Sequence, residues 1–454
     1  MADRLGGHAA VIGGSIAGMM AARVLSDFFD AVTILERDPI SGPPAHRKSV
    51  SQDRHYHVLL QGGEGVLSAL FPGFTADLDH CGAVRVRAGT EIGCFFPDGK
   101  AYTALGTVRE PVDLGADIFS LSRPALEACV RQRIGGLASV RWFDGVSVQR
   151  PIAVGQRLEG LEYKRDGQVE TIEADFIVDT SGRGCRAPKW LAELGYAAPA
   201  TTEMGIDFAY STTRYRIPKE LWGDEKIKII IGPPPDYSDY GFAALIEDDI
   251  WMVCMAGCFG HYPPADEAGF AAFARALHDP TLAQMMAGGQ RISDIHTYRF
   301  PTSLWRHYEG LERFPDGYVV LGDAIASFNP VYGQGMSSAA NQVMALQRML
   351  QQRASENAGL DALAKPFFAE MARVVETPWG LTAGRDLAFP DTVGERPADF
   401  AEGSQYFAAL AALLPGDREL YRQVNEVFHL ARPLADLFAD PIRARVEAKL
   451  REAA

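Results

Sequence analysis

Between His8 and about Leu70 short apolar runs alternate with stretches whose apolar residues recur at helical spacing, which predicts strands and helices in turn. The pattern returns as a helix over Pro124 to Ile134 and as strands over Val140 to Phe143 and Ala174 to Thr180. One α/β layer is therefore assembled from separated pieces of chain. From Val146 to Thr171 apolar and polar residues alternate around turns at Gly155 and Asp166-Gly167, predicting a small antiparallel meander over that layer. The stretch from about Thr202 to Phe300 has another texture. IDFAYSTTRYRI, KIKIII, YGFAALIE and IWMVCMAG read as strands of an antiparallel sheet, parted by Pro233-Pro234-Pro235 and Asp248-Asp249. A long helix starts near Gln334, and Asp361 to Ala454 is mostly helical by periodicity, with breaks expected at Pro378, Pro390 and Pro415. The last segment, PLADLFADPIRARVEAKLREAA, is amphipathic; packing on the body is the commoner use of such a face, a membrane or a partner the other.

Length and charge narrow the picture. A chain of 454 residues is too long for one core, so two or three domains are expected. Apolar residues at 47% and charged residues at 22% are ordinary for a globular protein, while a formal net charge of −14 with no basic run disfavours nucleic acid as a partner. No apolar run is long enough to span a bilayer, and a glycine fingerprint stands where a signal peptide would, so a cytoplasmic location is expected. The cysteines Cys81, Cys94, Cys129, Cys185, Cys254 and Cys258 show no paired metal spacing and read as buried free thiols. His55 and His57, in RHYHVLL, read as oriented structural groups rather than ligands, and no metal site is expected.

The chemistry is concentrated in two motifs. HAAVIGGSIAGMMAARVLSDFFDAVTILERD, residues 8 to 38, is a strand, a glycine turn, a helix and a second strand ending in an acid, the mononucleotide unit of a Rossmann fold. Gly13 makes the turn, Gly14, Ser15 and Ala17 bring backbone N–H groups toward a pyrophosphate, and Gly18 lets the helix lie close on the strand. Ser15 stands where the fingerprint has its second glycine, and is small enough to allow the same approach. Glu36 falls where a carboxylate holds both hydroxyls of an adenosine ribose, with Arg37 beside it. FAD and NAD both use this unit. The second motif is VLGDAIASFNPVYGQGMSS, residues 320 to 338: a Gly322-Asp323 pair after an apolar strand, then Pro330, Gly333, Gly335 and Met336 at the opening of the long helix. Glycines allow close backbone approach to a flat group, an aspartate accepts from a hydroxyl, and a helix amino terminus favours negative charge.

Together with HRKSVSQDRHYHVLL and FIVDTSGRGCRAPKWLAELG, these motifs resemble those of bacterial FAD-dependent monooxygenases of the aromatic-hydroxylase superfamily, nearest to the alkene epoxidases of polyether biosynthesis. The likeness runs over residues 8 to 340 and is thinner in the region expected to hold the substrate. It implies an α/β (α+β) fold: a discontinuous Rossmann-type FAD-binding domain (1–82, 110–199 and 310–350), an inserted antiparallel-sheet substrate domain (83–109 and 200–309), and a helical region (351–454). It implies FAD in extended form, with Asp323 on a ribityl hydroxyl and Arg123 of SRPALEACV reaching back toward the cofactor. Arg47 and Lys48 are placed for phosphate or the flavin edge, or are a solvated basic pair. The backbone from Pro330 to Gly335 would frame the flavin, and Phe208, Tyr210, Phe242, Trp251 and Met255 are the candidates for the substrate wall, with core packing as the other reading of each.

The activity implied is insertion of one oxygen atom from dioxygen into an electron-rich alkene or aromatic small molecule through a C4a-hydroperoxyflavin. Electrons would come from NAD(P)H, directly or through a separate flavin reductase. The strand ending Asp179-Thr180-Ser181-Gly182-Arg183-Gly184 departs from the Asp-Gly motif that serves nicotinamide in many hydroxylases. An alkene reductase or dehydrogenase of the same fold is the alternative activity, and a flavoprotein that binds without turnover is another. A halogenase is the lesser alternative, because the Trp-x-Trp-x-Ile-Pro segment is missing and Trp251 stands alone.

Overall fold

Apolar runs buried on both faces make parallel strands, and five of them pair in the order Tyr318–Val320, Phe176–Asp179, Gly6–Ile12, Phe29–Leu35, Val140–Phe143, every neighbouring pair parallel. The computed structural model describes residues 4–40, 42, 44–97 and 113–453. Pro43 and the expected boundary at 109–110 lie outside them. Ala9, Ala10, Val11, Val32, Ile34, Ile177, Val178 and Val319 are fully buried, because helices Ile16–Leu25 and Gly335–Ser355 pack together over the sheet while the meander adds Leu158, Leu161 and Tyr163 to the same core. That meander is the three-stranded antiparallel sheet Ser147–Val154, Arg157–Arg165, Gln168–Glu173. Helix Arg123–Gly135 begins on a capping bond from the Ala125 N–H to Ser122 Oγ, with Pro124 in its first turn.

The second large sheet runs Gln290–Arg291, Phe208–Arg216, Ile250–Cys258, Tyr240–Ile246, Ile227–Ile230, Ile92–Phe95, with His296–Phe300 also on Phe208–Arg216. It is not purely antiparallel as expected: Ile92–Phe95 joins Ile227–Ile230 in parallel. A strand arriving from residues 92–95, far earlier in the chain, has no hairpin to fix its direction.

Helix Ala364–Asp386 runs through Pro378, contrary to the expected break. Phe367, Phe368, Met371 and Val375 bury one face of it in the main core, and that packing outweighs the lost hydrogen bond of a single proline. Pro390 and Pro415 do lie between helices. The last helix, Ile442–Ala453, packs on the body through Ile442 and Val446, which are buried with Leu410, Leu420, Val424 and Leu437. Among the described residues no helix is long and apolar enough to cross a membrane, and no cluster of His, Cys, Asp and Glu is arranged to hold a metal ion. None of the six cysteines is in a disulfide; five are buried and Cys81 is half-buried.

Candidate active site

One cavity of about 1030 Å³ runs from the glycine turn to the second sheet. Gly13, Gly14, Ser15, Ala17, Glu36 and Arg37 line its first end, Arg47 and Arg123 its middle, and Asp323, Pro330, Gly333, Gly335 and Met336 its far side, where Phe208, Tyr210 and Phe242 close it. Residues some 300 positions apart are thus brought together because strands Gly6–Ile12 and Tyr318–Val320 both flank Phe176–Asp179. Gly18 and Gly322 do not line it. Gly18 sits where a Cβ would run into Gly13 O, and Gly322, at φ +66°, has its N–H held by Gln342 Oε1 at 2.8 Å. Lys48 faces a neighbouring cavity.

Trp251 and Met255, expected on the substrate wall, do not line this cavity. They point to the opposite face of the sheet and are buried with Phe270, Phe273, Leu282 and Met285 under helices Glu267–Ala276 and Thr281–Gly288. Their neighbours Cys254 and Ala256 line the cavity instead. Both faces of Ile250–Cys258 are covered, so its sequence is apolar throughout and the two-residue alternation carries no sign of which face turns inward.

The middle of the cavity is built on an ion network the sequence did not announce. Arg47 Nη2 lies 2.6 Å from Glu36 Oε2 and Nη1 2.9 Å from Glu127 Oε2, while Arg123 Nε donates to Glu127 Oε1 at 3.0 Å and its Nη2 to Ser15 Oγ at 2.7 Å. Ser15 Oγ in turn donates to Glu127 Oε1 at 2.5 Å. Burial alone would raise Glu127, but the charges of Arg123 and Arg47, with hydrogen bonds from Ser15 and Arg47, overcome it and hold the carboxyl down at about 2. Glu127 was missed although its signal was present: it stands four residues after Arg123 on one helix face. Glu36 accepts from the N–H groups of Gly14 and Asp38, at 2.7 and 2.8 Å, as well as from Arg47. Three of its roughly four acceptor positions are thus taken, leaving about one for a further donor.

His57 lines the cavity, and its Nδ1 is 2.9 Å from the His55 carbonyl, so Nδ1 carries the proton and Nε2 is an acceptor. Burial, then the Arg123 charge, pushes this imidazole down to about 4, and it is neutral at pH 7. Asp323 is raised by burial, against the pull of Arg123 and Arg183. Arg183, from the departing Ser-Gly-Arg-Gly segment, also lines the cavity and donates to Ser327 Oγ and Thr302 Oγ1.

The turn Pro330–Tyr332 is clamped from behind by Asp386 at the end of helix Ala364–Asp386. Asn329 Nδ2 donates to both its oxygens at 3.2 and 3.1 Å, and Tyr332 Oη to Oδ1 at 2.5 Å. Nothing within the sequence around Asp386 could have pointed to this. Burial lifts the Asp386 carboxyl from its ordinary 3.8 to about 6, with the two donors and Arg385 opposing. The folded chain therefore binds this proton more tightly than the unfolded one, and stability falls as pH rises from about 4 to about 6, by up to about 3 kcal/mol at roughly 1.4 kcal/mol per pH unit. Asp386→Asn should flatten that part of the stability–pH curve, measured by urea unfolding between pH 4 and 7. A slope unchanged from wild type would show that Asp386 does not titrate there.

The helix Arg418–Phe428 supplies Tyr421, Val424 and Phe428 to the cavity wall, an involvement of the carboxy-terminal region that periodicity did not foretell. Gln334 Nε2 donates to the Phe428 carbonyl at 3.1 Å and Asn341 Nδ2 to that of Leu430 at 2.9 Å.

These residues fit the FAD that the sequence motifs imply. The cavity is continuous from Glu36 to Asp323, the turn at Gly13 (φ +95°) has no room for a Cβ beside Thr180, and two buried arginines face its middle. Helix Gly335–Ser355 opens onto it with no side-chain cap, and Gln334 Oε1 and Ser337 Oγ are buried there without a partner.

Comparison with known proteins is consistent with this geometry. Protein Rv3254 of Mycobacterium tuberculosis is 34% identical over 397 residues, spanning 86% of this chain and 82% of that one. The chain belongs to its family. No family model matches. Among solved structures the chain is similar to the flavin-dependent brominase Bmp2 (TM-score 0.69, 16% identity, 98% of this chain and 99% of that one). It is also similar to a flavoprotein/dehydrogenase from Cytophaga hutchinsonii (0.69, 15%, 99% and 100%) and to the p-nitrophenol 4-monooxygenase PnpA from Pseudomonas putida (0.65, 16%, 96% and 100%). At these identities the likeness is one of fold, the mixed α/β architecture expected from the sequence.

Proposed function

We propose that the chain is an enzyme, an FAD-dependent monooxygenase acting on an electron-rich alkene or aromatic small molecule by epoxidation or hydroxylation, and nearest in type to the alkene epoxidases its motifs resemble. The observation that carries this reading is the single cavity joining a dinucleotide-binding turn to an aromatic sheet face. FAD, bound and reduced, supplies the activation of dioxygen. The chain does the rest. Glu36 holds the adenosine ribose, Arg47 and Arg123 face the pyrophosphate, and Asp323 accepts from a ribityl hydroxyl. The amino terminus of Gly335–Ser355 stabilises negative charge on the reduced ring. Phe208, Tyr210 and Phe242, at hydrophobic and aromatic positions of the second sheet, orient an apolar substrate and exclude water. Electrons come from NAD(P)H, directly or through a separate reductase. No lysine lines the cavity among the described residues, which weighs against halogenation.

The test is to reduce the purified flavoprotein anaerobically, mix it with dioxygen in the presence of candidate alkenes and phenols, and follow label from isotopic dioxygen. One labelled oxygen in the product, with little free peroxide, is the expected result. Unlabelled product, or stoichiometric peroxide with every substrate, would favour a reductase or dehydrogenase. Asp323→Ala should weaken FAD retention by about tenfold through one lost hydrogen bond in a buried site, read from flavin content after gel filtration. Wild-type flavin content in that variant would remove Asp323 from the site.

A further inference from the structure

A second cavity of about 470 Å³ adjoins the first, and its walls carry no apolar side chain: His46, Arg47, Lys48, Arg54, His55 and His296 line it, with Thr297. It lies between the segment 46–55 and strand His296–Phe300, and Arg47 borders both cavities. In a chain of net charge −14, such a local excess of positive charge runs against the whole surface.

The cations are unequally matched. Arg47 is neutralised by Glu36 and Glu127, and His46 Nδ1 is 3.0 Å from Asp53 Oδ1, whose second oxygen accepts from the Arg47 N–H. Lys48 and Arg54 have no carboxylate partner among the described residues, and Arg54 Nη1 instead lies 3.4 Å from His296 Nε2. His55 is held in place by Thr212 Oγ1 at 2.8 Å from its Nδ1, and its ring packs edge-on against Tyr210 of the main cavity, centroids 4.4 Å apart. A guanidinium fork and an ammonium without carboxylate partners, beside imidazoles and with Asp53 already taken by His46 and the Arg47 N–H, are the donor set that a phosphate dianion needs.

We propose that this cavity is a phosphate subsite at the rim of the active site, with Arg54 and Lys48 as its charged donors and His296 beside them. The phosphate has two sources of the same chemistry: the 2′-phosphate of NADPH, or a phosphorylated substrate. The choice of NADPH rests on the monooxygenase reading; the subsite itself does not.

The test is calorimetric titration of the FAD-loaded chain, without dioxygen, with NADPH, NADH and inorganic phosphate, on wild type, Arg54→Ala and Lys48→Ala, with flavin content measured on each sample. The expected result is NADPH binding about tenfold or more tighter than NADH, and loss of that preference in Arg54→Ala with flavin content unchanged. Equal NADPH and NADH affinities, with inorganic phosphate binding wild type but not Arg54→Ala, would keep the subsite and assign its phosphate to the substrate. Phosphate and NADPH binding wild type and both variants alike, or binding none of them, would overturn the proposal. A chain that purifies and reconstitutes without flavin would sink the monooxygenase reading, while the inorganic phosphate titration would still decide the subsite.

Discussion

Glu127→Ala should destabilise the FAD-free chain by about 3 to 5 kcal/mol, because it removes one partner of a buried charge network and leaves the other uncompensated. Among the described residues Arg123 pairs directly with Glu127 and Ser15 alone, so its charge loses its one carboxylate partner, whereas Arg47 keeps Glu36 and, at 3.5 Å, Asp38. FAD should narrow the gap. Its diphosphate supplies the negative charge that the variant lacks, so the midpoint difference between wild type and Glu127→Ala in urea should be smaller in the loaded protein than in the stripped one. Glu127→Gln, which keeps the shape and loses the charge, should fall between. Equal destabilisation with and without FAD would mean that the two arginines do not face the diphosphate.

The second large effect is expected from Gly18→Ala, at about 3 kcal/mol, accompanied by loss of FAD. The added Cβ would run into the carbonyl oxygen of Gly13 and lie 2.8 Å from Thr180 Oγ1, so the turn that cradles the pyrophosphate must move. Thr180 Oγ1 itself donates to the carbonyls of Ile12 and Gly13, at 2.8 and 3.0 Å, and so transmits the shift to the strand below. Gly65→Ala is the control. Gly65 is exposed within helix Gln61–Leu70 with nothing close to its missing Cβ, and the substitution should stabilise by about 0.5 to 1 kcal/mol through helix propensity. Thermal unfolding of the pair, with flavin content, checks both. A Gly18→Ala protein as stable and as yellow as wild type would show that the helix does not need this close approach.

What was legible in the chain follows from how local the governing physics is. The turn at Gly13 and the acid at Glu36 are fixed by a strand, a helix and a strand in immediate succession, and the structure puts them where spacing alone does. The opening of the helix at Gly335 was readable for the same reason. Tertiary choices were not. IWMVCMAG is apolar on both sides, so nothing within it distinguishes Cys254 and Ala256, which line the cavity, from Trp251 and Met255, which do not. Pro378 looked like a helix end because propensity is local, and the core contacts of Phe367, Phe368 and Val375 that carry the helix through it are not. The carboxylate behind the Pro330 turn arrives from Asp386, and no spacing rule connects the two.

The proposed function requires FAD to lie extended through one cavity, with its adenosine at Glu36 and its flavin at Asp323. The most direct measurement is binding of FAD, FMN and riboflavin to the stripped chain by fluorescence quenching, with the cofactor released from freshly purified protein identified by chromatography. Stoichiometric FAD is the expected result, with FMN weaker by at least about a hundredfold, roughly 3 kcal/mol, because FMN lacks the adenylate half proposed to meet Glu36, Arg47 and Arg123. FMN and FAD binding equally well, or no flavin binding at all, would contradict it.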